Sequence, residues 1–270
     1  GIRDHCVTGF QTCALPIFPR LHGLTVDHLS AVDIVTWDAR AGRAELRRVS
    51  ATSADADERD LFWALCGAGC GNFGVIVRYW FAHLPEAPEH ATIRTLSAFP
   101  PDQVEAIHAW LNRAVAGADM SQSLLQVDSY GGAVNRRSSD ATAVPQRSSL
   151  LKLQYQTYWL NAARPGEGQR PPYQAQADAH LGWMDGFYRD VYASYGGTPD
   201  PARDPSGTVD GCYYNYPDKA LGTHAGGDVD QALRLYFLEN YRDRPRSLVN
   251  VKRRWDPEDV FHHAQSIPVR

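Results

Sequence analysis

The apolar and polar positions of this chain alternate in short blocks that read as strands and helices in mixed order. Residues 31–37 are β-branched and partly alternating, 38–43 read as a turn, and 44–49 alternate again. Leu24 to Ser50 is therefore expected to form two β segments around a turn. Residues 53–60 supply helix N-cap candidates and first-turn acids ahead of a short apolar helix, 61–65. A glycine run from Gly67 to Gly74 follows, and then a strand, 75–81. Two prolines in 84–88 mark a boundary. Beyond it the pattern predicts a strand at 91–96 and an amphipathic helix at 101–111, with apolar residues at 104, 107, 110 and 111. Further strands are expected at 124–130 and 148–159, the latter the longest. Residues 161–172 and 196–208 read as loops and 173–195 as partly helical. A helix is expected over 229–241, with 248–252 continuing it. Strands and helices interleave without strict βαβ order, so the fold class is α+β.

Composition excludes several functions. With 43% apolar and 21% charged residues, net charge −4 and a pI near 6.2, the 270 residues show no basic stripe for nucleic acid. They carry no polybasic segment for a membrane surface, and no apolar run approaches the roughly 20 residues of a membrane helix. The cysteines at 6, 13, 66, 70 and 212 form neither a disulfide framework nor a metal pattern. The ten histidines show no paired helical spacing, so no metal is expected.

Gly69-Cys70-Gly71-Asn72-Phe73-Gly74 satisfies G-x-G-x-x-G. A dinucleotide fingerprint follows a strand and opens a helix. Here a helix precedes and a strand follows, so a Rossmann site is not expected. The glycines still permit close backbone approach or amides turned toward a phosphate, and a plain tight loop is the structural alternative.

Residues 7–17 resemble the translation of a sequencing-adapter oligonucleotide, and residues 1–17 are set apart from the fold on that ground. From about residue 18 the chain resembles the berberine-bridge-enzyme-like oxidases of the vanillyl-alcohol-oxidase superfamily. The resemblance rests on Asp60-Leu61-Phe62-Trp63-Ala64-Leu65 with the glycine run, on Leu21 to His28, on Asp128-Ser129-Tyr130-Gly131-Gly132-Ala133, and on Asp140-Ala141-Thr142-Ala143. At the C-terminal end it rests on Tyr214-Asn215-Tyr216, on Lys252 to Phe261, and on Gln265-Ser266-Ile267. It implies that residues 18–84 are the end of a PCMH-type FAD-binding domain. Residues 85–215 would be an antiparallel-sheet substrate domain covered by helices, and 216–270 a segment returning to the FAD domain. The chain departs from the family at Cys66, where an Arg is usual, and at Ala68 and Cys70, which interrupt the glycines. It also lacks the N-terminal FAD subdomain with its flavin-linked His, so a truncated C-terminal part, inactive alone, is expected.

The resemblance implies an FAD-dependent oxidase that removes a hydride from a C–H next to O or N of a small organic substrate and passes the electrons to O2. Tyr216 would be the catalytic base, with Lys152 stabilising its anion and Gln154 orienting substrate; two strand residues two apart share a face. Gly67, Gly69, Gly71, Asn72, Gly74, Val75, Asn215 and Asn240 would bind the cofactor, although Leu238 stands where the family has Gly. The bland readings are a solvated strand-end cation for Lys152 and a half-buried sheet Tyr for Tyr216. A non-catalytic binding module that kept the fold and lost the cofactor is the alternative function. The sequence does not indicate whether the protein is cytoplasmic or secreted.

Overall fold

A computed structural model describes residues 17–69, 71–82, 99–159, 171–218, 220–221 and 229–270. The expected strand at 91–96, most of the loop at 161–172 and Cys70 lie outside the described residues. The chain forms two compact units. The first comprises Gly1–Ile93, Ser129–Ser149 and Val209–Arg270, and the second Arg94–Asp128 and Leu150–Thr208.

The first unit is built on an antiparallel sheet of order β2-β1-β3, with β1 at Leu29–Asp38, β2 at Arg43–Ser50 and β3 at Val75–Phe81. The β1–β2 turn is written in its residues: Asp38 Oδ1 accepts from the amides of Arg40 and Ala41, at 2.9 and 3.0 Å, and Gly42 takes φ +61°. Val32, Ile34 and Val49 turn inward and are fully buried. On the outer face Arg48 pairs with Asp33 at 2.7 Å, and that hydrogen bond holds the Asp33 carboxyl below its usual range.

Helix α1 is short, Ile17–His22, and α2 spans Ala56–Ala68. The Asp55 side chain accepts from Asp57 N at 2.8 Å and so caps α2, with Asp57 and Glu58 in the first turn. Every residue of α2 from Leu61 onward is buried, because the helix lies between the sheet and the C-terminal helix. Residues 129–149 are fastened to the same unit by the bidentate pair of Arg147 and Asp27, at 2.9 Å on both arms, and by Trp63 Nε1 donating to Asp140 O.

In the second unit, α3 (Pro101–Leu111) and α4 (Pro171–Val191) pack against each other, beside a two-stranded sheet of β4 (Leu124–Ser129) and β5 (Leu151–Gln156). Helix α4 opens on two prolines that the sequence reading assigned to the preceding loop; proline is well placed in a first helical turn. Gly186 of α4 is required by contact: a Cβ there would lie 2.4 Å from the Trp110 ring. Tyr155 of β5 packs edge-on against Phe187, Tyr188 and Tyr192. Strand β5 is six residues, shorter than the 148–159 expected and shorter than β1, so the longest strand is not the predicted one.

Two helices close the chain in the first unit, α5 at Val229–Phe237 and α6 at Leu248–Trp255. The expectation that 248–252 continue the helix over 229–241 fails. The chain breaks through a 3₁₀ turn, Leu238–Asn240, with Leu238 at φ +48°, and Ser247 caps a new helix by accepting from Asn250 N.

Candidate active site

Helix α2 ends where Cys66 and Gly67 leave helical geometry, Gly67 at φ +141°. A Cβ on Gly67 would lie 2.6 Å from Val144 Cγ2, and one on Gly74 would lie 2.3 Å from Val35 O. These two glycines therefore serve close protein packing. Gly69 is buried, with Leu65 and Ile76 at ordinary contact distance. Gly71, at φ +73°, is exposed and has nothing within 4 Å of the Cβ position. Val75, just beyond, is 59% exposed. Among the described residues the open rim of the loop is thus Gly71 and Val75: Gly71 offers a backbone edge without a Cβ, which a flat nucleotide cofactor could approach beside the exposed Val75 side chain.

Asn72, expected among the cofactor ligands, is fully buried. Its Nδ2 donates to Ala68 O at 2.9 Å and to Tyr214 Oη at 3.1 Å. Its Oδ1 accepts from Ile267 N at 2.9 Å, and its carbonyl accepts from Lys252 Nζ at 2.9 Å. Asn240 is also fully buried, with Nδ2 donating to Ser139 O at 2.7 Å and Thr142 O at 3.2 Å. Cys66, at the family's usual Arg position, is buried, and burial pushes its thiol up to about 12.

The Tyr213-to-Asp218 stretch is a turn, with Tyr216 N donating to Tyr213 O at 3.3 Å. In a turn Asn215 and Tyr216 are not set on opposite faces by strand alternation. Asn215 Nδ2 donates to Tyr213 Oη at 2.7 Å. Tyr216 is 47% exposed, its ring 6.2 Å from that of Tyr213. Fixed groups hold the turn from several sides. Gln146 Nε2 donates to Cys212 O and Tyr236 O, both at 3.0 Å. Tyr236 Oη accepts from Asp218 N at 2.8 Å, and Gln265 Nε2 donates to Asp218 O at 2.7 Å. Tyr214 Oη donates to Gln265 O at 3.3 Å.

Lys152 and Gln154 belong to β5 of the second unit. Tyr155 faces helix α4, so by alternation Lys152, Gln154 and Gln156 share the other face. Lys152 Nζ pairs with Asp128 Oδ2 at 3.4 Å, and Gln126 bridges Asp128 and Gln156 at 2.8 and 2.9 Å. Sequence reasoning missed Asp128, Gln146, Lys252 and Gln265 as site groups. Only the Lys252/Asp256 spacing of four in a helix carried a local signal. Among the described residues, no group of His, Cys, Asp or Glu is arranged to hold a metal ion, and no helix is long and apolar enough to cross a membrane.

A sequence model of the family "Berberine and berberine like" matches residues 212–268, which contain both the tyrosine turn and the C-terminal tail. The chain is 39% identical to hexose oxidase of Chondrus crispus, covering all of this chain and 72% of that protein. That match runs over 418 aligned positions against 270 residues here, so about 148 positions inside it are occupied in the relative and not in this chain. Aclacinomycin-N/aclacinomycin-A oxidase of Streptomyces galilaeus is 28% identical, over 92% of this chain and 64% of its own length. In fold, the chain resembles GilR, an oxidoreductase of gilvocarcin biosynthesis, at TM-score 0.73 and 22% identity, over 93% of this chain and 72% of that one. It also resembles the glycopeptide hexose oxidase DBV29 at 0.70 and 23%, over 93% and 71%. The antiparallel sheets and covering helices are those of PCMH-type oxidases, and a glycine loop, tyrosine turn and tail gathered in one unit join the sequence match in one conclusion: the chain belongs to the berberine-bridge-enzyme-like FAD-linked oxidases of the vanillyl-alcohol-oxidase superfamily.

Proposed function

We propose that the protein oxidises a carbohydrate or similar polyol at a C–H next to oxygen, with O2 as final electron acceptor. The observation that carries this reading is the half-exposed Tyr216 phenol at the tip of a turn whose backbone is pinned by Gln146, Tyr236 and Gln265. A base that takes a hydroxyl proton must be reachable yet held, and this turn meets both requirements. The carbohydrate assignment draws on the hexose oxidase relative and on the polar face of Lys152, Asp128, Gln126 and Gln156, which suits a ligand rich in hydroxyls.

When bound, FAD would supply the hydride acceptor, with O2 as the final electron acceptor. The open rim at Gly71 and Val75, with Gly69 behind it, would hold the cofactor. Tyr216 receives the substrate hydroxyl proton as the carbon gives up its hydride. A neighbouring cation would favour the anion that acts as the base. The family resemblance assigns that cation to Lys152, and Gln154 to orienting the substrate. Because so little of the glycine loop faces open space, the 270 residues alone are expected to hold FAD weakly; stoichiometric yellow protein on purification would count against this.

The decisive experiment complements the chain with the N-terminal flavin subdomain of a relative and follows single-turnover flavin reduction by hexoses. Tyr216→Phe should slow reduction roughly 10²–10⁴-fold while FAD binding is unchanged. Reduction at the parent rate in Tyr216→Phe would remove Tyr216 from the mechanism.

A further inference from the structure

We infer that Asn72 and Lys252 are positioning residues: together they form a buried clamp that sets the tyrosine turn in register with the glycine loop. The inference rests on the reading of Tyr216 as the base and of the glycine loop as the cofactor rim, and assigns Asn72 a different task from cofactor binding.

The Asn72 side chain is fully buried and both of its Nδ2 hydrogens are taken by the protein. One Nδ2 hydrogen goes to Ala68 O, where the loop leaves α2, and the other to Tyr214 Oη, two residues before Tyr216. Its Oδ1 is taken by Ile267 N of the C-terminal tail. One carboxamide thus ties three segments far apart in sequence. A planar amide fixes its donors and acceptor in one plane, so the three cannot shift independently while the bonds are kept. The Asn72 backbone is held separately by Lys252, whose Nζ also reaches Asp256 Oδ2 at 2.5 Å, Phe261 O at 2.6 Å and Asp259 Oδ1 at 3.0 Å. Lys252 is fully buried and lies in the last turn of α6, where a cation suits the helix end. Asp256 in turn accepts from the amides of Val260 and Phe261 at 2.8 and 2.9 Å, which folds the tail back. Tail, loop and turn form one hydrogen-bonded block.

The location suits the reaction. Transfer of a hydride with loss of a proton requires base, substrate carbon and acceptor to be aligned within fractions of an ångström. The base sits on the turn and the cofactor rim on the loop; Asn72 and Tyr214 are the direct bond between them.

Residue-resolved hydrogen exchange on the 270-residue chain tests the clamp without bound flavin. Lys252 is not bonded to Tyr214 or Tyr216, so in Lys252→Met the amides of Asn72 and Ile267 should exchange roughly tenfold faster and that of Tyr216 should follow. Tyr214→Phe keeps the ring and its packing on Tyr236 and Phe237. It tests transmission in the reverse direction, at the Asn72 amide, and remains informative if Lys252→Met does not fold. In Tyr214→Phe the β1–β2 amides should exchange at the parent rate; in Lys252→Met, whose lost stability speeds every amide that opens globally, the Asn72, Ile267 and Tyr216 amides should gain more than those of β1–β2. Faster exchange confined to 213–218 in Tyr214→Phe, with Asn72 unchanged, would overturn the clamp, as would equal gains over β1–β2 in either variant. In the complemented enzyme, Tyr214→Phe should lower the reduction rate about tenfold at unchanged FAD affinity; equal loss of both would indicate a role in stability alone. Failure of Tyr216→Phe to slow reduction would sink the assignment of the base and leave the exchange result standing.

Discussion

Lys252 and Lys152 each face a carboxylate, at 2.5 and 3.4 Å, in different compact units. Lys252 is fully buried with its carboxylate and is surrounded by oxygens of Asn72, Phe261 and Asp259 as well. Lys152 and Asp128 each keep 15% of their side-chain surface in contact with solvent, on a sheet face of polar side chains. An ammonium taken out of water loses several kcal/mol of solvation, which close oxygens must offset. Lys252 is therefore committed to architecture. Lys152 retains some solvent contact, on a strand face it shares with Gln154 and Gln156.

The largest expected effect breaks the first half of the comparison. Lys252→Met leaves Asp256 buried without its cation and should cost about 3–5 kcal/mol of stability. Denaturant unfolding measures it; a loss below about 1 kcal/mol would mean that the buried pair is not holding the tail. Lys152→Met should behave oppositely. An ion pair near the surface contributes at most about 1 kcal/mol, so stability should hardly move. Flavin reduction in the complemented enzyme should slow less than in Tyr216→Phe. Lost stability in Lys152→Met with flavin reduction at the parent rate would return Lys152 to a structural role.

The smallest effect concerns a buried group with no such set of partners. Burial pushes the Cys66 thiol from 9.0 to about 12, with the Asp27 carboxylate adding to the shift. Its folded value lies above its unfolded one, so its contribution to stability is complete below pH 9.0 and is lost as pH rises toward about 12. Cys66→Ala should therefore flatten the fall in stability over that alkaline window. Parallel pH–stability curves for the two proteins would show that Cys66 has no part in it.

Local signals accounted for much of the fold. The β1–β2 hairpin was visible because alternation and an Asp-to-Gly turn are properties of adjacent residues. The cap of α2 was visible for the same reason. The break between α5 and α6 was missed although the charged run 242–246, with Pro245 in it, is a local signal for it; the positive φ of Leu238 and the Ser247 cap complete the break. In the candidate site, Tyr216 and the glycine loop were marked by motif. What each glycine serves was not: Gly67 and Gly74 answer to Val144 and Val35, and Gly71 to open space.

By itself the sequence determined most of the strand-and-helix order, the α+β class and, through collinear motifs, the family. Tertiary structure alone decided that Asn72 turns inward to Tyr214 and Ile267, that Lys252 is buried, and that residues 129–149 join the first unit. The physical reason is range. Periodicity, caps and turns depend on neighbours within about one helical turn. The Asn72–Tyr214 and Asn72–Lys252 bonds span 142 and 180 residues, and no local pattern encodes which polar group will meet which when the chain closes.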